Sequence, residues 1–167
     1  LIGTVISIGE GYFDILIFLA TLLFSLCIQI GTNFANDYFD FVKGADTFAR
    51  KGPRRLVQSG LIDGKVMKKA AHLTFILAAL LAIYMVYVGG YLILIPLLLS
   101  IVFGYLYTAG PYPLAYLGIS DFFVLVFFGF VATVGTTFLQ TKTILSTSIL
   151  AGMGPGFLSM ALLTLNN

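Results

Sequence analysis

The chain has 167 residues, of which 59% are hydrophobic and 10% are charged, and its mean hydropathy is +1.04. Soluble domains carry about 25% charged residues, so the composition excludes an ordinary soluble globular protein. The net charge of +2 is too small to indicate a nucleic-acid partner. Twelve of the sixteen formal charges lie between Asp37 and Lys69, which concentrates the polar chemistry in one segment.

Uncharged runs predict the membrane topology, because a transmembrane helix needs about 20 mostly apolar residues. The length fits one domain, residues 1–167, and the fold class that we predict is an all-α polytopic transmembrane helical bundle. A turn at Gly89 and Gly90 divides the longest apolar run into two helices. An N-terminal stub and five full spans are expected at residues 1–8, 15–36, 73–88, 91–109, 122–141 and 143–165.

Orientation follows from the basic residues, which crowd the loop after the first full span, while the other turns are nearly uncharged. Lysine and arginine concentrate in cytoplasmic loops, so this loop is predicted to be cytoplasmic. Counting spans forward, the connection 110–120 and the last residues return to the same face. The glycines inside the spans predict close helix packing, and Pro96 and Pro155 predict kinked or interrupted helices.

Carboxylates and amides gather where the first span ends. Asn33, Asn36, Asp37 and Asp40 are spaced at i, i+3, i+4 and i+7, which places them on one face of a continuing helix. Magnesium is held by one or two carboxylates together with substrate phosphates, so this sparse set suits it. The alternative interpretation is a solvated helix end with ordinary capping and turn residues.

Arginines follow the acids at once, with Arg50, Arg54 and Arg55 all within ten residues of Asp46. A guanidinium group matches phosphate oxygens with a rigid fork of donors. Acids that hold a metal ion, beside bases that hold phosphate, are typical of a diphosphate site.

Two motifs carry a resemblance to a known family. Residues 36–60 read NDYFDFVKGADTFARKGPRRLVQSG, which resembles the first aspartate-rich motif of the UbiA superfamily of intramembrane aromatic prenyltransferases. In the superfamily pattern Asn-x-x-x-Asp-x-x-x-Asp, Asn36 and Asp40 match, and the last acid is delayed to Asp46. That delay is similar to the branch that acts on 1,4-dihydroxy-2-naphthoate. Residues 105–121, YLYTAGPYPLAYLGISD, resemble the family's Tyr-Thr-Gly-Gly-Pro-x-Pro segment, and residues 165–167 resemble the opening of its second aspartate-rich motif.

The resemblance implies about half of a nine-helix fold, truncated at both ends, in a bacterial inner membrane with its active site facing the cytoplasm. It implies Mg²⁺-dependent transfer of a polyprenyl group from polyprenyl diphosphate to 1,4-dihydroxy-2-naphthoate, giving demethylmenaquinone. The chain alone is expected to be inactive, because most of the second motif is missing. The implied catalytic residues are Asn36, Asp40 and Asp46, the metal ligands are Asp37, Asp40 and Asp46, and the substrate-binding residues are Asn33, Lys43, Arg50, Arg54, Arg55, Tyr107, Asn166 and Asn167.

Other functions remain open at this point. A prenyltransferase of the same family with another aromatic acceptor fits the same motifs. A CDP-alcohol phosphotransferase needs an Asp-Gly-x-x-Ala-Arg string that this sequence lacks. A transporter module would carry acids deep within its spans, where a charge costs roughly 2.5 to 3.5 kcal/mol. Asp121 fits either a helix cap or part of the active-site cover.

Overall fold

The computed structural model describes residues 1–45, 55–110, 113–116 and 119–166, and these parts are helical with no strand. Four helices are long and apolar enough to cross a membrane, which confirms the predicted polytopic helical bundle. One short 3₁₀ turn covers Leu114–Tyr116. The helices are α1 (Ile2–Gly9), α2 (Ile15–Val42), α3 (Gly64–Gly89), α4 (Tyr91–Leu106), α5 (Ser120–Thr141) and α6 (Ser146–Asn166).

The third predicted full span is shorter than expected. Helix α4 has only 16 residues, so the described chain has four full spans and one shorter apolar helix. Just beyond the end of α4, Lys43 Nζ donates to the carbonyl oxygens of Thr108 and Gly110, at 2.6 and 3.0 Å. Gly110 has a φ of +82°, which takes the backbone out of the helical region. By contrast, α2 continues for six residues past its predicted end at Asn36.

Polar side chains mark the beginnings of the two longest helices. The carboxylate of Asp14 accepts from the backbone N–H groups of Leu16 and Ile17, and that of Asp63 accepts from Lys65. An aspartate at this position satisfies backbone donors that have no partner within the helix. The predicted turn between the second and third spans is confirmed at Gly90, whose φ is +74°.

Contacts between helix ends show that the helices alternate in direction. At one face, the side-chain amide of Gln140 pairs with the backbone of Asp14 at 2.7 and 3.0 Å. On the same face Lys142 donates to the carbonyl oxygen of Val88. The start of α2 and the ends of α3 and α5 therefore meet there, while Lys43 joins the ends of α2 and α4 at the opposite face. That the latter face is cytoplasmic stays a prediction.

The centre of the bundle is the contact between α2 and α3. Ala35, Ala71 and Ala78 are fully or almost fully buried, and their small side chains allow the two helices to approach closely. Phe75 adds its ring to this core. Large apolar side chains such as Ile83 point outward along the spans, as expected of an integral membrane protein whose outer surface contacts lipid.

Glycines bring α5 and α6 into backbone contact. A Cβ atom on Gly129 would lie 2.6 Å from the carbonyl oxygen of Gly152 and 2.9 Å from the Cα atom of Gly156. Gly129 lies within a π-helical segment of α5, Leu125–Val131. The predicted close packing through glycine is confirmed at these three positions, because no side chain fits between the two backbones.

One sequence expectation about the spans is wrong in detail. Gly135 and Gly154 have no atom within 4 Å of a hypothetical Cβ, so these two glycines face open space instead of a neighbouring helix. Of the two outcomes expected at the prolines, an interruption does not occur, since α4 continues through Pro96 and α6 continues through Pro155. A kink at either proline stays a prediction. Membrane helices tolerate proline where neighbouring groups re-satisfy the backbone.

Candidate functional site

A cavity of about 460 Å³ lies between α2, α4, α5 and α6. It begins at the polar face of the bundle and extends between the spans. Its walls differ in chemistry, because α2 contributes polar side chains and α5 contributes aromatic ones. The α2 wall is formed by Ser25, Ile28, Gln29, Thr32, Asn33 and Asn36.

The facing wall is aromatic. The rings of Phe103 and Phe123 lie 4.7 Å apart between centroids, and Phe127 is 5.7 Å from Phe103 and 6.2 Å from Phe123. All three side chains line the cavity. The two pairs that Phe103 forms are edge-to-face, and the pair of Phe123 and Phe127 is stacked. Such pairs are favourable beyond their buried area, so the wall is a stable apolar surface against which a planar or hydrocarbon ligand can pack.

The two sequence motifs meet at the mouth of the cavity. The Thr108 hydroxyl donates to Asn36 Oδ1 at 2.7 Å, which links the end of α2 to the segment after α4. The ammonium group of Lys43 binds two carbonyl oxygens of that same segment. Asn36 and Lys43, both predicted to belong to the site, therefore lie beside the second motif, to which they are linked by hydrogen bonds.

Asp37 is buried and holds the chain that returns from the charged loop. Its two carboxylate oxygens accept from the backbone N–H groups of Leu56 and Val57, at 3.0 and 3.1 Å. Hydrogen bonds to a carboxylate are stronger than neutral ones, so Asp37 fixes this segment against α2. Its predicted role as a metal ligand stays a prediction.

Asp40 lies one turn beyond Asn36 and contacts the basic part of the motif. Its carboxylate is buried, and Oδ2 is 3.4 Å from Nη2 of Arg55. Asp40 and Arg55 are fifteen residues apart in the sequence, and the structure brings this acid and this base together. The pair offers both kinds of group that a diphosphate site needs, because a carboxylate coordinates metal ions and a guanidinium binds phosphate oxygens.

Tyr107, predicted to bind substrate, lines the cavity just after the end of α4. Burial raises the pKa of its phenol above the ordinary value, and a hydrogen bond with the Ser120 side chain opposes that shift. The phenol is therefore neutral near pH 7. Asp121 follows in the first turn of α5 but accepts no capping hydrogen bond there.

The oxygen ligands of Asn36 and Asp40 fit a hard cation such as Mg²⁺, which also takes ligands from water and phosphate. Among the residues that the structure describes, no group of three acidic, histidine or cysteine side chains forms a complete metal cluster. Asp46, Arg50, Arg54 and Asn167 lie outside the described residues. Asn166 ends α6, and its side chain is likewise outside the description.

Gln29 and Thr108 are cavity or mouth residues that the motif analysis missed. Gln29 lies four residues before Asn33 and seven before Asn36, so a helical plot of polar residues in the first span would have found it. Thr108 stands inside the second motif, but its bond to Asn36 joins residues 72 apart in sequence. No local pattern indicates such a contact.

Comparisons with known proteins agree with these observations. The model of the UbiA prenyltransferase family matches residues 1–167. A 1,4-dihydroxy-2-naphthoate octaprenyltransferase of Escherichia coli (strain K12) is 38% identical over 175 residues, covering 100% of this chain and 56% of the relative. The protein of the same name in Haemophilus influenzae is 38% identical over 168 residues, with 93% and 52% covered.

A third relative with this name, from Bacillus subtilis (strain 168), is 33% identical over 167 residues, covering 100% of this chain and 54% of the relative. The chain thus spans about half the length of the curated relatives it matches. No solved structure matches it.

Proposed function

Because the chain belongs to the UbiA prenyltransferase family, we propose that the full-length protein transfers a polyprenyl group from polyprenyl diphosphate to 1,4-dihydroxy-2-naphthoate. The observation that carries the proposal is the ion pair of Asp40 and Arg55, one helical turn beyond Asn36, which itself lines a cavity with one polar and one aromatic wall. The names of the bacterial relatives support this choice of substrates.

The mouth of the cavity is the proposed diphosphate site. Asn36 and Asp40, with Asp46 outside the described residues, would hold Mg²⁺, which neutralises charge on the departing diphosphate. Arg55 carries positive charge at the same place and is joined to Asp40. Lys43, Arg50 and Arg54 are proposed to take up the remaining phosphate charge, and Asp37 to supply a further carboxylate if it exchanges a backbone partner.

The interior of the cavity is proposed to hold the reacting carbons. The bond between the prenyl C1 atom and its diphosphate oxygen breaks, and a ring carbon of the naphthoate bonds to C1 while the carboxylate leaves as CO₂. The aromatic wall of Phe103, Phe123 and Phe127 excludes water and attracts the developing allylic cation through its ring faces. The immediate product is demethylmenaquinol, the reduced form of demethylmenaquinone.

The location of the site is part of the same proposal. The described mouth lies at the face that carries the basic loop, and the three relatives named above are bacterial. We propose that the protein lies in a bacterial inner membrane with the mouth of the cavity open to the cytoplasm. The diphosphate group and the naphthoate are soluble in the cytoplasm and would reach the polar end of the cavity from there. Asn33, Tyr107, Asn166 and Asn167 are proposed to contact the substrates.

The test is an assay of the purified full-length protein in detergent with Mg²⁺, polyprenyl diphosphate and 1,4-dihydroxy-2-naphthoate. We expect a prenylated naphthoquinol, and no prenylation of 4-hydroxybenzoate. Asp40→Ala should lower kcat by about 1,000-fold or more, since each 1.36 kcal/mol of lost transition-state stabilisation is tenfold in rate. Asn36→Ala should be nearly as damaging, and the 167-residue chain alone should be inactive.

Asp63→Ala is the matched control. Asp63 is an acid at the same face, but its side chain caps α3 and does not line the cavity. This substitution should cost about 1 kcal/mol of stability and leave kcat within about twofold. Near-normal turnover by Asp40→Ala would contradict the assigned role of the acid, and prenylation of 4-hydroxybenzoate instead of the naphthoate would contradict the acceptor.

A further inference from the structure

We propose that the side-chain amides of Gln29 and Asn33 bind the oxygen atoms of the aromatic acceptor, as a subsite separate from the diphosphate site at the cavity mouth. This inference rests on the proposed function, because it names the substrate that this part of the cavity receives. It adds a residue, Gln29, that lies outside both sequence motifs.

The first observation is that these amides are open to the cavity. Gln29 and Asn33 are one helical turn apart on α2, both line the cavity, and both are exposed to it. Neither forms a hydrogen bond to another residue within the described ranges. Two hydroxyl groups on the cavity walls do have hydrogen-bond partners. The hydroxyl of Ser25 donates to the Thr21 carbonyl oxygen, and that of Ser100 donates to the Pro96 carbonyl oxygen.

An amide within a membrane-spanning helix is costly unless it finds a polar partner. Polar side chains at this depth typically face the bundle interior and mark ligand pathways. The two hydroxyls have partners within their own helices. The amides of Gln29 and Asn33 have none among the residues that the structure describes, so their donors and acceptors are available to a ligand.

Depth separates Gln29 from the diphosphate. Gln29 is eleven residues before Asp40 on one continuous helix, which is about 16 Å along its axis. A diphosphate held at Asp40 is too short to span that distance. The amide of Gln29 is therefore assigned to the second substrate, whose ring must approach the prenyl C1 atom from inside the cavity.

The chemistry of the two walls selects the class of ligand. A carboxamide offers two N–H donors and one acceptor oxygen, which suits hydroxyl and carboxylate groups. The prenyl tail has no such groups, so it is not the ligand of the amides. The facing rings of Phe103 and Phe123 suit a planar ring. A hydroxylated aromatic acid satisfies both walls at once.

The experiment measures the binding of each substrate separately, by titrating the full-length protein in detergent with 1,4-dihydroxy-2-naphthoate under anaerobic conditions. Gln29→Met and Asn33→Leu keep the approximate shape of the side chain but remove the amide. Each should raise the dissociation constant for the naphthoate about tenfold, which is the usual effect of losing a hydrogen bond to a charged ligand. The dissociation constant for polyprenyl diphosphate should stay within about twofold.

Thr74→Val is the control, because Thr74 lies on α3 outside the cavity and its hydroxyl already bonds to the Ala70 carbonyl. It should change neither dissociation constant by more than about twofold. Unchanged naphthoate binding in both amide variants overturns the inference, and so does an equal loss of both substrates, which would indicate a structural defect. Failure of the unmodified protein to bind the naphthoate also overturns it.

The same titration separates this inference from the proposed function. If the unmodified protein binds the naphthoate through Gln29 but forms no prenylated product, the amide subsite stands and the proposed reaction is wrong.

Discussion

Single residues of the first motif divide between two tasks. Asn36 faces the cavity and is fixed by the Thr108 hydroxyl. Asp37, its neighbour, is rotated by about 100° around the helix. Both of its carboxylate oxygens accept hydrogen bonds from the backbone of the returning loop. The helical spacing alone places Asn36 and Asp37 in one polar group. Their hydrogen-bond partners show that Asn36 faces the cavity, whereas Asp37 supports the loop.

The bond between Thr108 and Asn36 leads to a prediction. Thr108→Val removes the donor but keeps the shape of the side chain, so the Asn36 amide loses its fixed orientation. We expect kcat/KM of the full-length protein to fall about tenfold, equivalent to about 1.4 kcal/mol. Thr108→Ser keeps the hydroxyl and should stay within about threefold. An equal loss in both variants would assign the effect to the packing of the methyl group.

Among the helices, α5 and α6 depend on each other through backbone contact. Gly129, Gly152 and Gly156 leave no room for side chains between the two axes. The π-helical segment that contains Gly129 also presents Phe127 and Phe128 to the cavity. π-Helical turns are frequent near functional sites, so the same segment closes the contact between the helices and shapes the aromatic wall.

This contact predicts different outcomes for two glycines of α5. Gly129→Ala places a methyl group 2.6 Å from a carbonyl oxygen of α6, which forces the helices apart and should cost about 2 kcal/mol. Gly135→Ala meets no atom within 4 Å and should change stability by less than about 1 kcal/mol. Denaturation of the full-length protein in mixed micelles measures both values. Equal stabilities of the two variants would contradict the proposed importance of this contact.

In the molecule as a whole, the helix ends form two polar layers with different chemistry. One layer contains Asp14, Gln140 and Lys142, which tie helix termini together. The other contains the two motifs and the mouth of the cavity. Among the described residues, the charged side chains of the first motif, Asp37, Asp40, Lys43 and Arg55, lie in the second layer. A substrate with a diphosphate head and an apolar tail therefore needs to enter the membrane only from that side.

Reporter fusions test this arrangement. Gly60 and Gly90 are exposed turn residues with φ values of +72° and +74°, and they lie at opposite ends of α3. A reporter inserted after Gly60 should read cytoplasmic and one after Gly90 external, because the basic residues precede α3 and occupy its first turns. The same location for both would contradict a membrane-spanning α3, and the reverse pattern would contradict the cytoplasmic site.

The amino-acid sequence by itself determined the number and order of the helices and the position of their main breaks. Continuous apolar runs of this length can only satisfy their backbone as helices in a membrane. Local residues mark where those runs begin and end. Asp14 and Asp63 cap the starts of α2 and α3, and the glycine pair before α4 forms the turn between α3 and α4. The acids and arginines of the first motif were also recognisable, because their spacing lies within one short segment.

Only the tertiary structure decided which side chains face the cavity and where α4 ends. The Thr108 hydroxyl bonds to Asn36, 72 residues away, and Lys43 bonds to the Thr108 carbonyl oxygen beyond the end of α4, 65 residues away. It also decided which glycines pack, since Gly129 and Gly135 both belong to α5 but only Gly129 faces α6. These features depend on how the helices rotate and pack against one another, which local periodicity does not specify.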